Sequence, residues 1–325
     1  MKNQSDKLLS YLTDSFSKNP PETSNITFLG DIMLSRTVED KTKKSGNWNW
    51  PVLNIANDIK PTDLTVANLE SPFSDPPKPF AHTTVFGADS KMTSGLKEAA
   101  IDIVCLANNH FGDSGQKGMN LTFKLLDDNK ISYFGAGTNS IESHKPLIKE
   151  INGIKFSFLG YVTSTVTPSS YAATDSKSGL NMMDINQMTL DVAEAKKSAD
   201  FVIVSMHAGT EYTPDPGNEQ KEFAHAAINA GADMIYGHHP HVVEAIEIYN
   251  NKPIFYSLGN FIFDQEWSEE TKEGFILKSK FIYNKPVSYE LVPTLIQNYG
   301  QPEIINGKIY TNILNRIMNA STKLD

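Results

Sequence analysis

Three of the eight histidines lie within four positions, at His238, His239 and His241, directly after the largely apolar segment 232–236. Imidazoles at this density need partners for their ring nitrogens, and a shared divalent cation can satisfy several of them at once. The cluster therefore predicts a metal site at the end of a strand. A chance cluster, or a hydrogen-bonded group in the core, is the alternative interpretation.

Further side chains that can bind a metal follow other predicted strands. They are Asp31, Glu70, Asn109 with its neighbour His110, and His207. A mixture of carboxylate, amide and imidazole donors suits Mn, Fe or Zn better than a thiolate site or an all-oxygen magnesium site would. Each residue alone has an ordinary interpretation, since an aspartate after a strand is commonly a turn former. The prediction therefore depends on the whole set.

Short apolar segments alternate with amphipathic ones from residue 26 onward. The predicted strands are 26–30, 63–67, 101–106, 155–161, 201–206, 234–236, 245–249 and 254–258. Predicted helices cover 114–129 and 219–230, and Gly231 ends the second of them. This alternation predicts a mixed α/β domain, with the chemistry-bearing side chains at the carboxyl ends of its strands.

One large domain is predicted for residues 25–300, because no repeat or low-complexity linker interrupts that range. Residues 1–24 are expected to form an N-terminal helical extension, which ends near Pro20 and Pro21. Residues 301–325 are expected to dock on the domain as a strand or a helix.

Composition excludes several classes of partner. The chain of 325 residues has a formal net charge of -9, and no basic stripe is present to bind nucleic acid. Cys105 is the only cysteine, so no intrachain disulfide is possible and a buried, inert thiol is expected. No segment has the apolar length of a secretory signal or a membrane span, so we expect a cytoplasmic location without stable membrane insertion. The sequence does not predict the oligomeric state.

Six segments together resemble one known family, the capsule-synthesis or poly-gamma-glutamate biosynthesis proteins of the CapA type, within the calcineurin-like metallophosphatase superfamily. In chain order the segments read FLGDIM (28–33), VANLE (66–70), LANNH (106–110), HAGTEY (207–212), GHHPHV (237–242) and YSLGNF (256–261). The resemblance covers residues 26 to 264. It implies a four-layer αββα sandwich with a two-metal centre at the carboxyl edge of its sheets.

The resemblance also implies a role for each metal-binding position. Asp31 would bind one metal, Glu70 would bridge both, Asn109 and His207 would bind the second, and His239 and His241 would divide between the two. A bridging carboxylate is physically apt, because it places negative charge between two closely spaced cations. We favour His239 and His241 over His238 because a His-x-His pair in extended backbone directs both rings to one side. His238 would then face away, as a supporting or packing residue.

Met33 departs from the pattern of the wider superfamily, which has a histidine two positions after the first aspartate. A thioether is a poor ligand for hard or borderline metals, so one of the two metals would lose a donor. We therefore expect one site to be weak, or to be completed by water or substrate. Related bacterial cyclic-nucleotide phosphodiesterases also lack this histidine, so its loss need not abolish a two-metal centre.

The histidine of the Asn-His pair protonates the leaving group in the phosphoesterases that this chain resembles, and His110 would take that role. Asp113 is close enough in sequence to hold its ring, although a helix N-cap is an equally good interpretation of Asp113. Asn68, Glu211 and Asn260 are candidates for supporting the ligands or contacting substrate, and each also has a purely structural interpretation.

The implied function is a metal-dependent hydrolase of the phosphoesterase type, linked to the production of a poly-gamma-glutamate or capsule polymer. Its substrate would be a small molecule, a phosphoester or an anionic polymer, and its cofactors two divalent ions of Mn, Fe or Zn. Two alternatives stay open. One is a component that binds the polymer without hydrolysing it, and the other is a metal-dependent enzyme that modifies a peptide by proton transfer, as in epimerisation.

Overall fold

The computed structural model of the protein describes residues 23–78, 84–283 and 287–324. The helical extension expected at residues 1–24 lies outside this part of the chain, except for its last two residues, which begin a strand. The strands are β1 Thr23–Ile32, β2 Leu64–Leu69, β3 Ile103–Cys105, β4 Ser132–Phe134, β5 Ala136–Gly137, β6 Leu147–Ile151, β7 Ile154–Val162, β8 Gly179–Leu180, β9 Phe201–His207, β10 Met234–His238, β11 Ile246–Tyr249, β12 Lys252–Phe255, β13 Asn260–Ile262, β14 Glu273–Ile282, β15 Ser288–Gln297 and β16 Gln301–Ile304.

Helices connect many of these strands. The α-helices are α1 Arg36–Ser45, α2 Ala56–Ile59, α3 Thr93–Glu98, α4 Gly115–Asp128, α5 Ser140–His144, α6 Ile185–Ala195, α7 Asn218–Ala230, α8 Glu269–Lys272 and α9 Lys308–Ser321. Both predicted helices are therefore present, as α4 and α7, and Gly231 ends α7 in a left-handed conformation. The predicted strands are also present, with shifted ends.

Two mixed sheets form the centre of the fold. The first has the order β16-β15-β14-β1-β2-β3-β4, with β13 also paired to β1, and the second has the order β11-β12-β10-β9-β7-β6. The central strands β1 to β4 are parallel to one another, as are β7, β9, β10 and β12. Such parallel strands are usually covered on both faces, and every residue of β2 is buried.

The sheets pack against each other and carry helices on their outer faces. Phe28 of β1 meets Tyr236 of β10, with ring centroids 4.9 Å apart. Side chains of β9 alternate: Ile203 joins the core between the sheets, whereas Val202 and Val204 join a second core with α6 and α7. Helix α4 packs on β4 of the first sheet. These layers confirm the predicted αββα sandwich.

The end of the chain extends the first sheet and then covers it. Strand β16 pairs antiparallel with β15, and α9 follows it. Ile313 and Ile317 of α9 pack against Phe275 of β14. Residues 301–324 thus contribute both a strand and a helix, where the sequence predicted one or the other.

Two further expectations concern single features. Cys105 is buried in β3, and burial raises the pKa of its thiol to about 11, as expected for an inert cysteine. Among the helices of the described residues, none combines the length and apolar character needed to cross a membrane.

Candidate metal centre

The predicted metal-binding residues follow the carboxyl ends of five strands. Asp31 lies near the end of β1, Glu70 directly follows β2, and Asn109 with His110 follows β3; His207 ends β9, while His239 and His241 follow β10. Strands β1 to β3 run parallel in one sheet, and β9 and β10 run parallel in the other. Because the sheets pack face to face, these strand ends meet at one edge of the sandwich.

Two glycines allow the backbones to approach closely at this edge. A Cβ atom at Gly30 would lie 2.1 Å from the carbonyl oxygen of Gly259, and one at Gly237 would lie 2.0 Å from that of Tyr256. With Gly30 in place, the Asp31 N–H donates to the Gly259 oxygen at 3.0 Å. A side chain at either glycine would push a ligand-bearing strand out of position.

The backbone after β10 is left-handed rather than extended. The φ angles of His239 and His241 are 98° and 58°, values that are uncommon for residues other than glycine. The extended His-x-His geometry expected from the sequence is therefore wrong. Both rings still reach the same site, because the chain turns at each histidine. Strained backbone of this kind costs about 1–3 kcal/mol per residue and is concentrated at functional sites.

Asp31 and Glu70 form a buried carboxylate pair that shares one donor. The Asn68 amide donates to Asp31 Oδ1 at 2.8 Å and to Glu70 Oε2 at 3.3 Å. The other oxygen of Glu70, Oε1, is buried and has no hydrogen-bond partner among the residues that the structure describes. An unpaired buried carboxylate oxygen is costly unless a cation neutralises it.

Donor atoms converge in two groups. In the first, one atom each from Asp31, Glu70 and His207 lies within 4.8 Å of the others, and all three residues are buried. In the second, Glu211, His239 and His241 meet the same distance limit, and Glu211 is exposed. The structure thus brings Glu211, expected only as a supporting or substrate-contacting residue, among the possible ligands.

Asn109 and His207 lie next to each other. Asn109 Oδ1 is 2.9 Å from His207 Nε2, and within the described part of the chain the buried His207 Nδ1 has no partner. Two donors on one ion lie about 3 Å apart when each is about 2.1 Å from the ion. The spacing of this pair is therefore compatible with a shared metal.

Asn260 orients the ring of His241. Its Oδ1 lies 3.0 Å from His241 Nδ1, while its Nδ2 donates to the backbone oxygen of Thr271 at 2.8 Å. The Nδ1–H of His241 donates to that fixed oxygen, which leaves the Nε2 lone pair free. His241 Nε2 lies 3.7 Å from Glu70 Oε1, so the lone pair and the unpaired carboxylate oxygen share one space.

His238 packs against the ligand set instead of facing away. Its Nδ1 atom lies 2.7 Å from Asp31 Oδ1, and its buried Nε2 has no partner in the residue ranges that the structure describes. The expectation that His238 faces away is therefore wrong. Its register in β10, opposite His207 in β9, directs the ring to the carboxylate of Asp31.

Burial and neighbouring groups shift the pKa values of the two carboxylates in opposite directions. Burial, with the nearby charges of Asp31 and Glu211, raises the pKa of Glu70 well above its ordinary value, and the positive charge of Arg36 opposes this. Burial alone would also raise the pKa of Asp31, but His238, His241 and Asn68 together lower it. One carboxylate therefore ionises readily and the other resists ionisation until a cation is near.

The histidines are held neutral. Burial lowers the pKa of His239 and of His241 to about 4, and burial with the neighbouring imidazoles lowers that of His207 well below its ordinary value. A neutral imidazole keeps a lone pair for a metal at physiological pH. With the unpaired atoms of Glu70 and His207, these neutral donors show that the residues present fit divalent cations.

Met33 is turned away from the role of a ligand. Its sulfur accepts hydrogen bonds from the Ser35 N–H at 3.1 Å and from the Ser35 hydroxyl at 3.2 Å. The side chain is fully buried and fixes the turn that joins β1 to α1. The position held by a histidine in the wider superfamily thus serves the fold in this chain.

Replacing Met33 with leucine is expected to leave the number of bound metals unchanged, because the sulfur is already engaged by Ser35. The melting temperature should fall by only about 1–2 °C, since the Ser35 hydroxyl loses a weak hydrogen bond worth about 1 kcal/mol. Elemental analysis and thermal unfolding of the variant measure the two effects. A loss of metal would mean that the sulfur does coordinate an ion.

His110 and Asp113 form a hydrogen-bonded pair beside the cluster. His110 Nδ1 lies 2.8 Å from Asp113 Oδ2, which also accepts from the Phe86 N–H at 2.7 Å. Asp113 Oδ1 accepts from the Tyr171 hydroxyl at 3.3 Å. Helix α4 begins only at Gly115, after an N-cap at Ser114, so the interpretation of Asp113 as the N-cap is wrong. The pair leaves His110 Nε2 free to transfer a proton.

Sequence reasoning missed residues that organise this site. Asn108 accepts hydrogen bonds from the His110 and Phe111 N–H groups and donates to Asn68 Oδ1 at 3.1 Å, so it couples the histidine loop to the carboxylates. Its place beside Asn109 was a usable signal. Arg36 was also missed, although the chain has only two arginines.

Comparisons with known proteins identify the family of this chain. Residues 25–265 match the family described as bacterial capsule synthesis protein PGA_cap. The capsule biosynthesis protein CapA of Bacillus anthracis is 30% identical over 93% of this chain and 74% of its own length. The PGA biosynthesis protein CapA of Bacillus subtilis (strain 168) is 33% identical over 82% and 70%, respectively.

A solved structure, the calcineurin-like phosphoesterase YfkN from Bacillus subtilis, overlaps 93% of this chain and 97% of its own chain with a TM-score of 0.48 and 14% identity. The family match covers most of the sandwich and every predicted ligand. The chain therefore belongs to the bacterial capsule synthesis protein PGA_cap family.

Proposed function

We propose that the protein is a metal-dependent hydrolase that acts on an anionic substrate in the production of a capsule or poly-gamma-glutamate polymer. The observation that supports this most strongly is the convergence of the Asp31, Glu70 and His207 donors within 4.8 Å, beside the His110–Asp113 pair. A purely structural cluster has no need for a free imidazole nitrogen at its edge.

Two divalent ions of Mn, Fe or Zn would be held by these donors. Asp31, Glu70, Asn109, His207, His239 and His241 would supply the ligands, with Glu70 between the ions. When bound, such ions supply an activated water and stabilise the negative charge that develops on the substrate. Asn68, His238 and Asn260 hold the ligand side chains in place.

His110 completes the chemistry from the protein side. Asp113 accepts the Nδ1–H of His110 and fixes the ring, while Nε2 carries the proton for transfer. As the bond between the substrate's central atom and the leaving atom breaks, the leaving atom takes the Nε2 proton, whether it is the oxygen of a phosphoester or the nitrogen of a γ-glutamyl peptide. Phe86 stacks on the His110 ring with centroids 3.8 Å apart and keeps it from rotating.

A turnover assay tests this proposal. Purified protein loaded with manganese is expected to hydrolyse a phosphodiester, a phosphomonoester or a γ-glutamyl peptide, and to lose that activity on chelation. Elemental analysis is expected to give two metals per chain. Absence of turnover above a His110→Ala control on all three substrates would contradict the proposal.

A polymer-binding role without hydrolysis is the second candidate, favoured by the biosynthetic roles in the names of the two relatives. The net charge of -9 would repel a polyanion unless bound cations supply the attraction. Binding of poly-gamma-glutamate that survives chelation, together with no turnover, would favour this role. Epimerisation of a peptide by proton transfer would appear instead as solvent deuterium in unhydrolysed substrate.

A further inference from the structure

Arg36 lies beside the metal centre in a strained conformation. It is the first residue of α1, and its φ angle of 53° places its backbone in the left-handed region. It is also one of only two arginines in the chain, the other being Arg316. A strained charged residue next to a candidate site suggests a role in that site.

Two aromatic rings pack against the guanidinium, and each of them also contacts a histidine of the site. The central carbon of the guanidinium lies 4.6 Å from the ring centroid of Phe86 and 5.7 Å from that of Phe263. Phe86 in turn stacks on His110 at 3.8 Å, and Phe263 packs edge-on against His241 at 4.7 Å. The guanidinium is thus one ring away from His110 and one ring away from His241.

Asp264 holds Arg36 but does not use all of its donors. One carboxylate oxygen pairs with Arg36 Nη2, and the other accepts from the Thr37 N–H at 3.2 Å. Among the described residues, Arg36 Nε is buried and has no hydrogen-bond partner. The Arg36 side chain keeps 18% of its surface exposed. A guanidinium has five N–H donors, so Asp264 leaves donors for a ligand.

The surroundings explain why such a donor is useful. Glu211 is exposed at the site, and its negative charge would repel an anionic substrate. A guanidinium fixed by an ion pair and by aromatic packing offers a preorganised fork that matches carboxylate and phosphate oxygens. Because the guanidinium is already fixed before the substrate binds, less conformational entropy is lost on binding.

We propose that Arg36 binds an oxyanion of the substrate, either a phosphate or a carboxylate, adjacent to the bond that is broken. The proposal rests on the proposed function, because it assigns the substrate of the same site a charged group within reach of both His110 and the metals. Asp264 is then a positioning residue that keeps the guanidinium directed to the substrate.

Calorimetric titration of manganese-loaded protein tests the assignment with two probes, inorganic phosphate and γ-glutamylglutamate. The variants are Arg36→Met, which removes the charge but keeps the packing on Phe86, and Arg36→Lys, which keeps the charge but removes the fork. Arg316→Met is the matched control, because Arg316 also pairs with carboxylates, those of Glu270 and Glu273. Elemental analysis of each variant establishes that its metals are retained.

Arg36→Met is expected to weaken binding of one or both probes by about ten- to a hundredfold, with unchanged metal content. Arg36→Lys should recover only part of that loss, and Arg316→Met should stay within about twofold of the unmodified protein. The probe whose affinity falls identifies the oxyanion as phosphate or carboxylate.

Equal affinities of Arg36→Met and the unmodified protein for both probes would overturn the proposal, as would an unmodified protein that binds neither probe. If Arg36→Met does not fold, Arg36→Lys with unaltered affinity overturns it instead. Turnover is scored separately. Binding that depends on Arg36 without any turnover would support the role of Arg36 and contradict the proposed hydrolase activity. Turnover with binding that does not depend on Arg36 would support the hydrolase activity and contradict the role of Arg36.

Discussion

Glu70→Gln is expected to remove at least one metal from each chain and to reduce turnover at least about a thousandfold, because an amide cannot neutralise two neighbouring cations. The substitution keeps the size and shape of the side chain. In the unmodified protein Glu70 Oε2 accepts a hydrogen bond from the Asn68 amide, and the side-chain oxygen of glutamine can accept the same bond. Elemental analysis and the assay with the best substrate measure both losses.

In the metal-free protein, Glu70→Gln should instead increase the stability of the fold. Since burial raises the pKa of Glu70 above its ordinary value near 4.5, the folded state binds a proton that the unfolded state releases. The unfolding free energy contributed by Glu70 therefore falls as the pH rises from about 4.5 through the raised pKa. At pH 8 and without metal, Glu70→Gln should have a melting temperature several degrees above that of the unmodified protein. Added manganese should raise the melting temperature of the unmodified protein more than that of Glu70→Gln.

Glu244→Gln provides the matched control. Glu244 is also a buried glutamate, and burial raises its pKa to about 8. It accepts a hydrogen bond from Gln220 at 2.7 Å and belongs to neither group of converging donors. Its substitution should leave metal content and turnover unchanged. Equal metal content in Glu70→Gln and Glu244→Gln would contradict the placement of Glu70 between two ions.

His110→Asn is expected to lower turnover by about a hundredfold to ten-thousandfold, the usual contribution of a general acid. Metal content should not change, because His110 is outside both groups of converging donors. The loss should be smaller for a nitrophenyl ester than for an alkyl ester, since nitrophenolate leaves without needing a proton. Asp113→Asn should produce a smaller loss of about tenfold to a hundredfold, because it disturbs only the orientation of the ring.

The His144–Asp191 pair offers a control with the same chemistry elsewhere in the fold. His144 Nδ1 lies 2.9 Å from Asp191 Oδ2, nearly the geometry of the His110–Asp113 pair, but His144 is on α5. His144→Asn should therefore retain full turnover. A loss in His110→Asn that is equal for nitrophenyl and alkyl esters would argue that His110 positions the substrate and does not protonate the leaving group.

Local sequence patterns were sufficient to predict a mixed α/β domain with metal-binding side chains at its strand ends, whereas the four-layer sandwich was implied by the family resemblance. A strand with both faces covered is apolar along its length, as in β2, and a helix such as α7 carries its apolar positions at a 3.6-residue period and ends at a glycine. Parallel strands bring their carboxyl ends to one edge. For this reason a polar residue after each apolar segment, such as Asp31, Glu70 or His207, could be assigned to a common site before any contact was known.

Tertiary structure alone decided how those residues meet. The left-handed backbone at His239 and His241 and the contact of His238 with Asp31 depend on neighbours that are distant in sequence. Arg36 reaches the site only because Asp264, 228 positions later, and two aromatic rings hold it there. Residue type and hydrophobic periodicity indicate which face of a helix or strand is buried. The direction of a side chain within a crowded site depends on packing and charge from several elements at once, which no local pattern encodes.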